Sequence, residues 1–324
     1  MKSAKLLNSK VEIIQIDKPT LNTKGAIIKV FGCGLCGSDI VKIKHATKEN
    51  EDKVVLGHEV VGQIVEIDSN TNFKVGDIVA LGHHYPCFNC EFCRIGAYSM
   101  CETFKKSNIS PCGFSEFIKV DENHLKYTVY SVPKNLEYQE IAYLEPLACV
   151  IRAIRRAGYT LDNDNSKSNS LVIGLGSIGL ITAQALKAFG VKAFGYDINK
   201  NRTDFAKKYG VEYKKDEYDC IFMTSGSSKA INTALEHVRN GGKIIVFSSV
   251  ENEAGYKNND IYYRELSIIA SYSPSVEDYK ISYDFLCNKK VNVKDTSTIY
   301  TLDNLPLAIE DSICGRVFKA YIKV

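Results

Sequence analysis

The sequence predicts a two-domain α/β protein: an antiparallel β-barrel-like domain first, then a doubly wound parallel sheet. Three observations predict it. The chain has 324 residues, and single cores stop growing at roughly 250–300 residues. Its first part is rich in Val, Ile and Gly in short alternating runs, the pattern of strands that bury one face. Further on, strand-like apolar runs alternate with helix-length segments, which marks parallel strands joined by crossover helices.

The elements follow in order. KGAIIKVFGCG, HEVVGQIVEI and GDIVAL read as strands parted by Gly and Asp turns. EIAYLEPLACVIRAIRRAG has apolar residues at helical spacing and closes on Gly158, a C-cap. LDNDNSKSNS is a polar surface loop. SLVIGLG is then a strand and turn, SIGLITAQALKAFG a helix, KAFGYD a strand and NKNRTDFAKKYG a helix ending in Gly. YDCIFMT, GGKIIVFSS and ELSIIASY are further strands, with AINTALEHVR a helix among them. A helix near VEDYKISYDFLCNKK and a final strand FKAYIKV return to the first domain. The expected boundaries are 1–145 for the first domain, 146–272 for the parallel-sheet domain and 273–324 for the return.

Composition narrows the class of function. Apolar residues make up 45% and charged residues 24%, as in soluble globular proteins. Lys plus Arg is 41 against 38 for Asp plus Glu, a net charge of +3, and no long block of one sign occurs, which argues against nucleic acid as a partner. No apolar run approaches the ~20 residues of a membrane span. The opening MKSAKLLNSKVEIIQ has no signal-peptide core. A cytoplasmic protein acting on a small molecule is expected.

Eleven cysteines in a cytosolic chain do not form a disulfide framework. Cys87, Cys90, Cys93 and Cys101 read C-x2-C-x2-C-x7-C. Thiolates this close on an irregular loop suit a closed tetrahedral zinc site. An iron–sulfur cluster is the alternative.

Gly174, Gly176 and Gly179 form G-L-G-S-I-G between an apolar strand and a helix. The first permits a tight turn, the second lets backbone approach a pyrophosphate, and the third lets helix and strand pack closely. Ser177 and Ile178 open that helix, whose free N–H groups and dipole suit phosphates. The next strand ends in Asp197, where a carboxylate bonds a ribose 2′-hydroxyl; the alternative is a helix N-cap. Asp197 repels a 2′-phosphate and so favours NAD over NADP. Arg202, one helical turn on, is the nearby residue able to soften that repulsion.

Cys36 in VFGCGLCGSDI, His58 and Glu59 in VVLGHEVVG, and Glu145 in YLEPLAC offer a thiol, an imidazole and carboxylates. Such a set holds zinc with a position left open for water or substrate. Taken singly, each also reads as a core thiol, a satisfied core histidine or a surface carboxylate. Spacing alone does not bring them together.

The ordered segments CGLCGSDI, LGHEVVGQIVEI, FKVGDIVAL, the four-cysteine lobe, LEPLACVIRA, GLGSIG and YRELSIIASYSPS resemble the zinc-containing medium-chain dehydrogenase/reductase family, the alcohol dehydrogenase superfamily, in its sorbitol (polyol) and threonine dehydrogenase branch. The resemblance runs along essentially the whole chain. It implies a GroES-like barrel joined to a Rossmann domain, two zinc ions per subunit, one catalytic and one structural, NAD as cofactor, and a homodimer or homotetramer. It implies that Cys36, His58 and Glu59 ligate the catalytic zinc, that Glu145 approaches the metal or its water, that Ser38 hands the substrate proton toward the cofactor ribose, and that Asp39 bonds the second nitrogen of His58. Cys33, Cys112 and Cys149 match no ligand position.

The implied reaction moves a hydride between NAD and a secondary alcohol of a polyol, sugar or sugar phosphate. A threonine-dehydrogenase-like or general alcohol dehydrogenase on the same machinery is the alternative. A zinc-free quinone-reductase-like member and a non-enzymatic lens-type protein are disfavoured by the intact ligand positions. One departure stands out. Polyol relatives often carry a proton-relaying His five residues after the zinc cysteine, where this chain has Val41. Beside it, Lys42 replaces the Tyr common in sorbitol dehydrogenases. A cation on that segment suits a phosphate, and galactitol-phosphate dehydrogenases resemble this chain there.

Overall fold

The computed structural model describes residues 1–250 and 255–324. The chain divides into two compact units. The first comprises Met1–Glu145, Ser275–Cys287 and Val293–Val324; the second comprises Pro146–Pro274 and Asn288–Asn292.

The first unit is built on a seven-stranded sheet. Six strands run in the order Ser297–Thr301, Lys319–Lys323, Gly25–Gly34, Glu59–Asp68, Ile78–Leu81 and Val129–Ser131, and Phe117–Asp121 also pairs with Gly25–Gly34. Ser297–Thr301 and Lys319–Lys323 pair in parallel, and the other pairings are antiparallel. The central strand GAIIKVFGCG is bonded on both edges and nearly all its residues are buried. Its near-continuous apolar run follows from that position. Its register with Glu59–Asp68 shifts twice, between Ile27 and Ile28 and between Val30 and Gly32. Such bulges re-aim the side chains beyond them, and here they set Gly34 opposite Glu59. Ile28, Ile64, Val79, Phe114, Ile118, Leu305 and Ile322 fill the core.

The second unit holds five parallel strands in the order Ser267–Ala270, Val238–Val246, Tyr218–Met223, Asn169–Ile173 and Lys192–Tyr196. Asn169–Ile173, first in sequence, lies between the second and third. Its neighbours are reached by crossovers in opposite directions, which opens a crevice at the carboxyl ends of the strands. The helices Ser177–Ala188, Lys200–Lys207 and Ala230–His237 make crossovers. The charged run EYKKDE at 212–217 forms no strand and meets the sheet where the Gly195 N–H donates to the Glu212 carbonyl at 3.1 Å. With no apolar alternation, this run has nothing to bury on a sheet face. Leu171, Ile173, Ile221, Ala234 and Ile244 lie in this unit's core. The α/β class with a doubly wound parallel sheet is the one expected. Among the described residues, no helix is long and apolar enough to cross a membrane.

Candidate active site

Cys36 follows the central strand and caps the helix Gly37–His45. His58 precedes, and Glu59 begins, the neighbouring strand. The Gly34–Glu59 pairing therefore sets these two chain segments side by side. One ligand atom from each of Cys36, His58 and Glu59 lies within 4.8 Å of the others. Asp39, buried in the first turn of the helix, ties the segments together. Its carboxylate accepts from the Cys36 N–H at 3.1 Å and the Gly57 N–H at 2.9 Å, and lies 3.4 Å from His58 Nδ1. That last approach is too long for a well-formed bond, and its part is electrostatic. Burial works against charge on both groups, but their mutual attraction prevails: Asp39 lies below the usual carboxylate range and His58 well above its usual value. With Nδ1 facing Asp39, the other ring nitrogen of His58 is the one available to a metal.

Glu59 meets a partner from the far end of the chain. Lys319 Nζ lies 2.5 Å from both carboxylate oxygens, with the Lys319 and Glu59 side chains 5% and 0% exposed. Burial disfavours the ammonium, but Glu59, Cys36 and Tyr143 hold its pKa above the usual lysine value. Only Oε1 receives a well-directed hydrogen bond; Oε2 is buried with none. A Cβ at Gly34 would sit 1.8 Å from that oxygen, so only glycine leaves the carboxylate its place. A thiol, an imidazole and a carboxylate are the donor set of a zinc site with one coordination position open. The residues fit the metal.

Glu145 is buried at the start of the helix Leu144–Arg156, and it falls outside the set of three convergent groups. Ser38 is exposed in the first turn of Gly37–His45. Val41 and Lys42 are exposed on the same helix. Lys42 Nζ donates to the Val55 carbonyl at 3.0 Å, and its charge acts on Asp39, His83 and His84.

Three residues here escaped the sequence reading: Lys319, His83 and His84. The two histidines follow the strand Ile78–Leu81 and precede the cysteine lobe. The His83 ring lies 4.7 Å from that of His58 and 4.0 Å from that of His84. His84 Nδ1 contacts the Ser107 carbonyl closely. Burial, with the charges of His84, His58 and Lys42, pushes the His83 pKa well down. Burial also lowers His84 to about 4 against the pull of the Ser107 carbonyl. The doublet HH at a strand end was the available signal. Lys319 gave only one of the two lysines of the strand KAYIK.

The lobe brings Cys87, Cys90, Cys93 and Cys101 within 4.8 Å of one another. Cys93 Sγ is 3.5 Å from Cys90 Sγ and 3.9 Å from Cys87 Sγ. Tetrahedral zinc with bonds of ~2.3 Å holds its sulfurs about 3.8 Å apart. The Asn89 and Cys90 N–H groups donate to Cys87 Sγ at 3.4 and 3.3 Å and hold its pKa below the usual thiol value. All four thiols are free of disulfides.

In the second unit, Gly174 follows its strand with φ +97°, a left-handed conformation that glycine adopts without strain. A Cβ at Gly179 would lie 1.8 Å from the Gly174 carbonyl oxygen, whereas one at Gly176 would meet open space. Ser177 and Ile178 occupy the first turn of Ser177–Ala188. Asp197 accepts from the Leu175 N–H through Oδ2 and the Asn199 N–H through Oδ1, both at 2.7 Å. Arg202 lies 3.7 Å from it. Asn199 caps the helix Lys200–Lys207 by accepting from the Asn201 N–H. Asp197 is therefore not the cap; it ties the glycine turn to the end of the second strand.

Residues 22–133 match the alcohol dehydrogenase GroES-like domain, and residues 177–288 match the zinc-binding dehydrogenase family. A probable D-xylulose reductase A of Aspergillus clavatus is 30% identical over 91% of this chain and 88% of its own length. Among solved structures, acetophenone reductase from Geotrichum candidum in complex with NAD is 20% identical with a TM-score of 0.86, covering 100% of this chain and 97% of that one. Galactitol-1-phosphate dehydrogenase from Escherichia coli is 22% identical with a TM-score of 0.84, covering 100% of both chains. These matches, taken with the three convergent ligand groups, the cysteine lobe and the glycine turn, show that the chain belongs to the zinc-containing medium-chain dehydrogenase/reductase family.

Proposed function

We propose that this protein is a zinc-dependent, NAD-linked dehydrogenase acting on a secondary alcohol of a polyol, sugar or sugar phosphate. The observation that carries the reading is the convergence of one ligand atom each from Cys36, His58 and Glu59 within 4.8 Å of one another. Zinc held by Cys36, His58 and Glu59 would supply Lewis acidity that makes an alcohol easier to deprotonate, and NAD held by the glycine turn would supply the hydride acceptor. The chain's own residues do the rest. Asp39 orients His58 and fixes the Cys36 turn. Ser38 would hand the hydroxyl proton toward the cofactor ribose. Glu145, in its family role, would approach the metal or its water as a further carboxylate. The lobe cysteines hold a second, structural zinc.

The first-turn N–H groups at Ser177 and Ile178 receive the pyrophosphate, over a turn kept open by Gly174, Gly176 and Gly179. Asp197 binds the ribose diol and sets NAD above NADP. Arg202, already paired with it, reduces that margin. A cytoplasmic location fits eleven free thiols, and a homodimer or homotetramer is the assembly we expect from the family.

Polyol relatives by name support a polyhydroxylated substrate. Lys42 supports a phosphorylated one: its ammonium spends one N–H on the Val55 carbonyl and keeps two more. The test is NADH absorbance with a panel of polyols, polyol phosphates, simple secondary alcohols and L-threonine. A phosphate held by Lys42 gains about 1.5–3 kcal/mol, so Lys42→Met should cut the preference for the phosphate by ~10- to 150-fold. Wild-type protein indifferent to the phosphate, or a preference that survives Lys42→Met, removes Lys42 from the site. Turnover of simple alcohols or threonine alone overturns the polyol reading.

A further inference from the structure

An unbroken row of packed rings joins the cysteine lobe to the Cys36–His58–Glu59 cluster. Cys101, the last cysteine of the lobe, caps the short helix Glu102–Lys106. Phe104 of that helix is buried against Cys93 and Cys101. Its ring lies 4.9 Å from that of His84, which lies 4.0 Å from that of His83, which lies 4.7 Å from that of His58. Strand register produces the last contact. Val60 pairs with Leu81, and continuing that antiparallel count by two residues sets His58 opposite His83. Main-chain bonds run beside the rings. The Ser107 hydroxyl accepts from the Tyr85 N–H at 3.1 Å and reaches the Tyr85 and Phe104 carbonyls at the same distance. The Ser107 carbonyl contacts His84. Cys87 follows Tyr85 by two residues. Both ends of the lobe, at Cys87 and Cys101, are thus fastened to the segment that carries His84.

The two ends of the row are held differently. The lobe's own core is Cys93, Cys101 and Phe104, with Cys90 and Tyr98 packed on it, while Phe92, Ile95 and Met100 are exposed. So small a core does not fix its own shape, and a bound metal supplies the folding energy. At the other end, Asp39 attracts the His58 ring from 3.4 Å, beyond a well-formed hydrogen bond. The tilt of the imidazole is therefore left to packing, and the ring packed on it is that of His83. The His83 main chain is pinned, because His124 Nε2 donates to its carbonyl at 3.0 Å. What remains to be set is the His83 ring, and His84 lies against it. A ligating imidazole must aim its lone pair along the metal bond, so the groups that fix its orientation also set metal affinity.

We propose that His84 and Phe104 are positioning residues that couple the two metal sites: metal in the lobe seats Phe104, and the row of rings then holds His58 at the tilt that binds zinc. Filling the lobe raises the zinc affinity of the Cys36–His58–Glu59 site, and by linkage the reverse also holds. This rests on the two-zinc reading above.

Chelator competition measures zinc affinity in full-length wild type, Cys93→Ser, His84→Ala and the double variant, with Cys36→Ser identifying the binding step that belongs to the Cys36–His58–Glu59 site. Cys93→Ser, which disables the lobe, should weaken that step by about 5- to 100-fold, a usual size for coupled sites. His84→Ala, with the lobe still loaded, should weaken it by a similar factor, and the double variant should lose no more than either single change. His84→Phe, which keeps the ring and gives up the contact with Ser107, should restore wild-type affinity. Losses that multiply in the double variant, or a Cys93→Ser affinity equal to that of wild type, overturn the proposal. Should Cys93→Ser fail to fold, the two His84 variants decide: wild-type affinity in His84→Ala, or equal weakening in His84→Ala and His84→Phe, overturns it. A wild type that binds a single zinc, or holds iron in the lobe, defeats the two-zinc reading and the coupling with it.

Discussion

Replacing Lys319 with Met removes the one buried cation bonded to Glu59 in the structure while keeping the length and apolar stem of the side chain. The ammonium lies 2.5 Å from the carboxylate, and both side chains are at most 5% exposed. Breaking a pair this deeply buried by removing one partner costs about 3–5 kcal/mol, because a bare charge stays behind. In metal-free protein that is a fall in melting temperature on the order of 10 °C. Zinc changes the outcome, since the stranded carboxylate then faces a dication. If the zinc-loaded variant loses only about 1 kcal/mol, the cycle requires the folded variant to bind zinc ~30- to 1,000-fold more tightly than wild type. Thermal melts of metal-free and zinc-loaded Lys319→Met, with a chelator-competition measurement of zinc affinity, test both halves. Equal losses in the two states, or no loss without metal, would refute the reasoning and show that the pair is not what holds Glu59.

Two further outcomes are expected. Asp197→Ala should narrow the NAD-over-NADP preference in kcat/KM, and because Asp197 also accepts from the Leu175 N–H, it should weaken binding of NAD itself; a wild type that prefers NADP contradicts the assignment. His84 has its pKa lowered from 6.5 to about 4 by burial, so the unfolded chain binds its proton first as pH falls. Its contribution is therefore complete above about pH 6.5 and is lost as pH falls toward 4, a loss of about 2–3 kcal/mol. Wild type minus His84→Phe, followed by urea unfolding across that window, should show the difference; parallel pH profiles would exclude it.

What the sequence made legible follows from how local each feature is. The cysteine lobe spans few residues, and its spacing already implies a metal. The glycine turn is likewise local, with Gly174, Gly176 and Gly179 tied to one strand and one helix. Cys36, His58 and Glu59 were gathered only by family resemblance, because a strand register with two bulges brings them together, and register is not visible in spacing. Asp197 had two readings in sequence, and the cap on Asn199 separates them. Lys319 is 260 residues from Glu59, and only the return of the chain's last strand to the first sheet makes them neighbours. His83 was passed over because a histidine beside a strand end has no signature of its own until its ring is seen packed on that of His58.

Anomalous diffraction at the zinc edge, on crystals of protein purified without added metal, tests the central claim most directly. The account predicts two peaks per chain, one among Cys87, Cys90, Cys93 and Cys101 and one bounded by Cys36, His58 and Glu59. A peak at the lobe alone, with Glu59 still bonded only to Lys319, or an iron signal in place of zinc at either site, would contradict it.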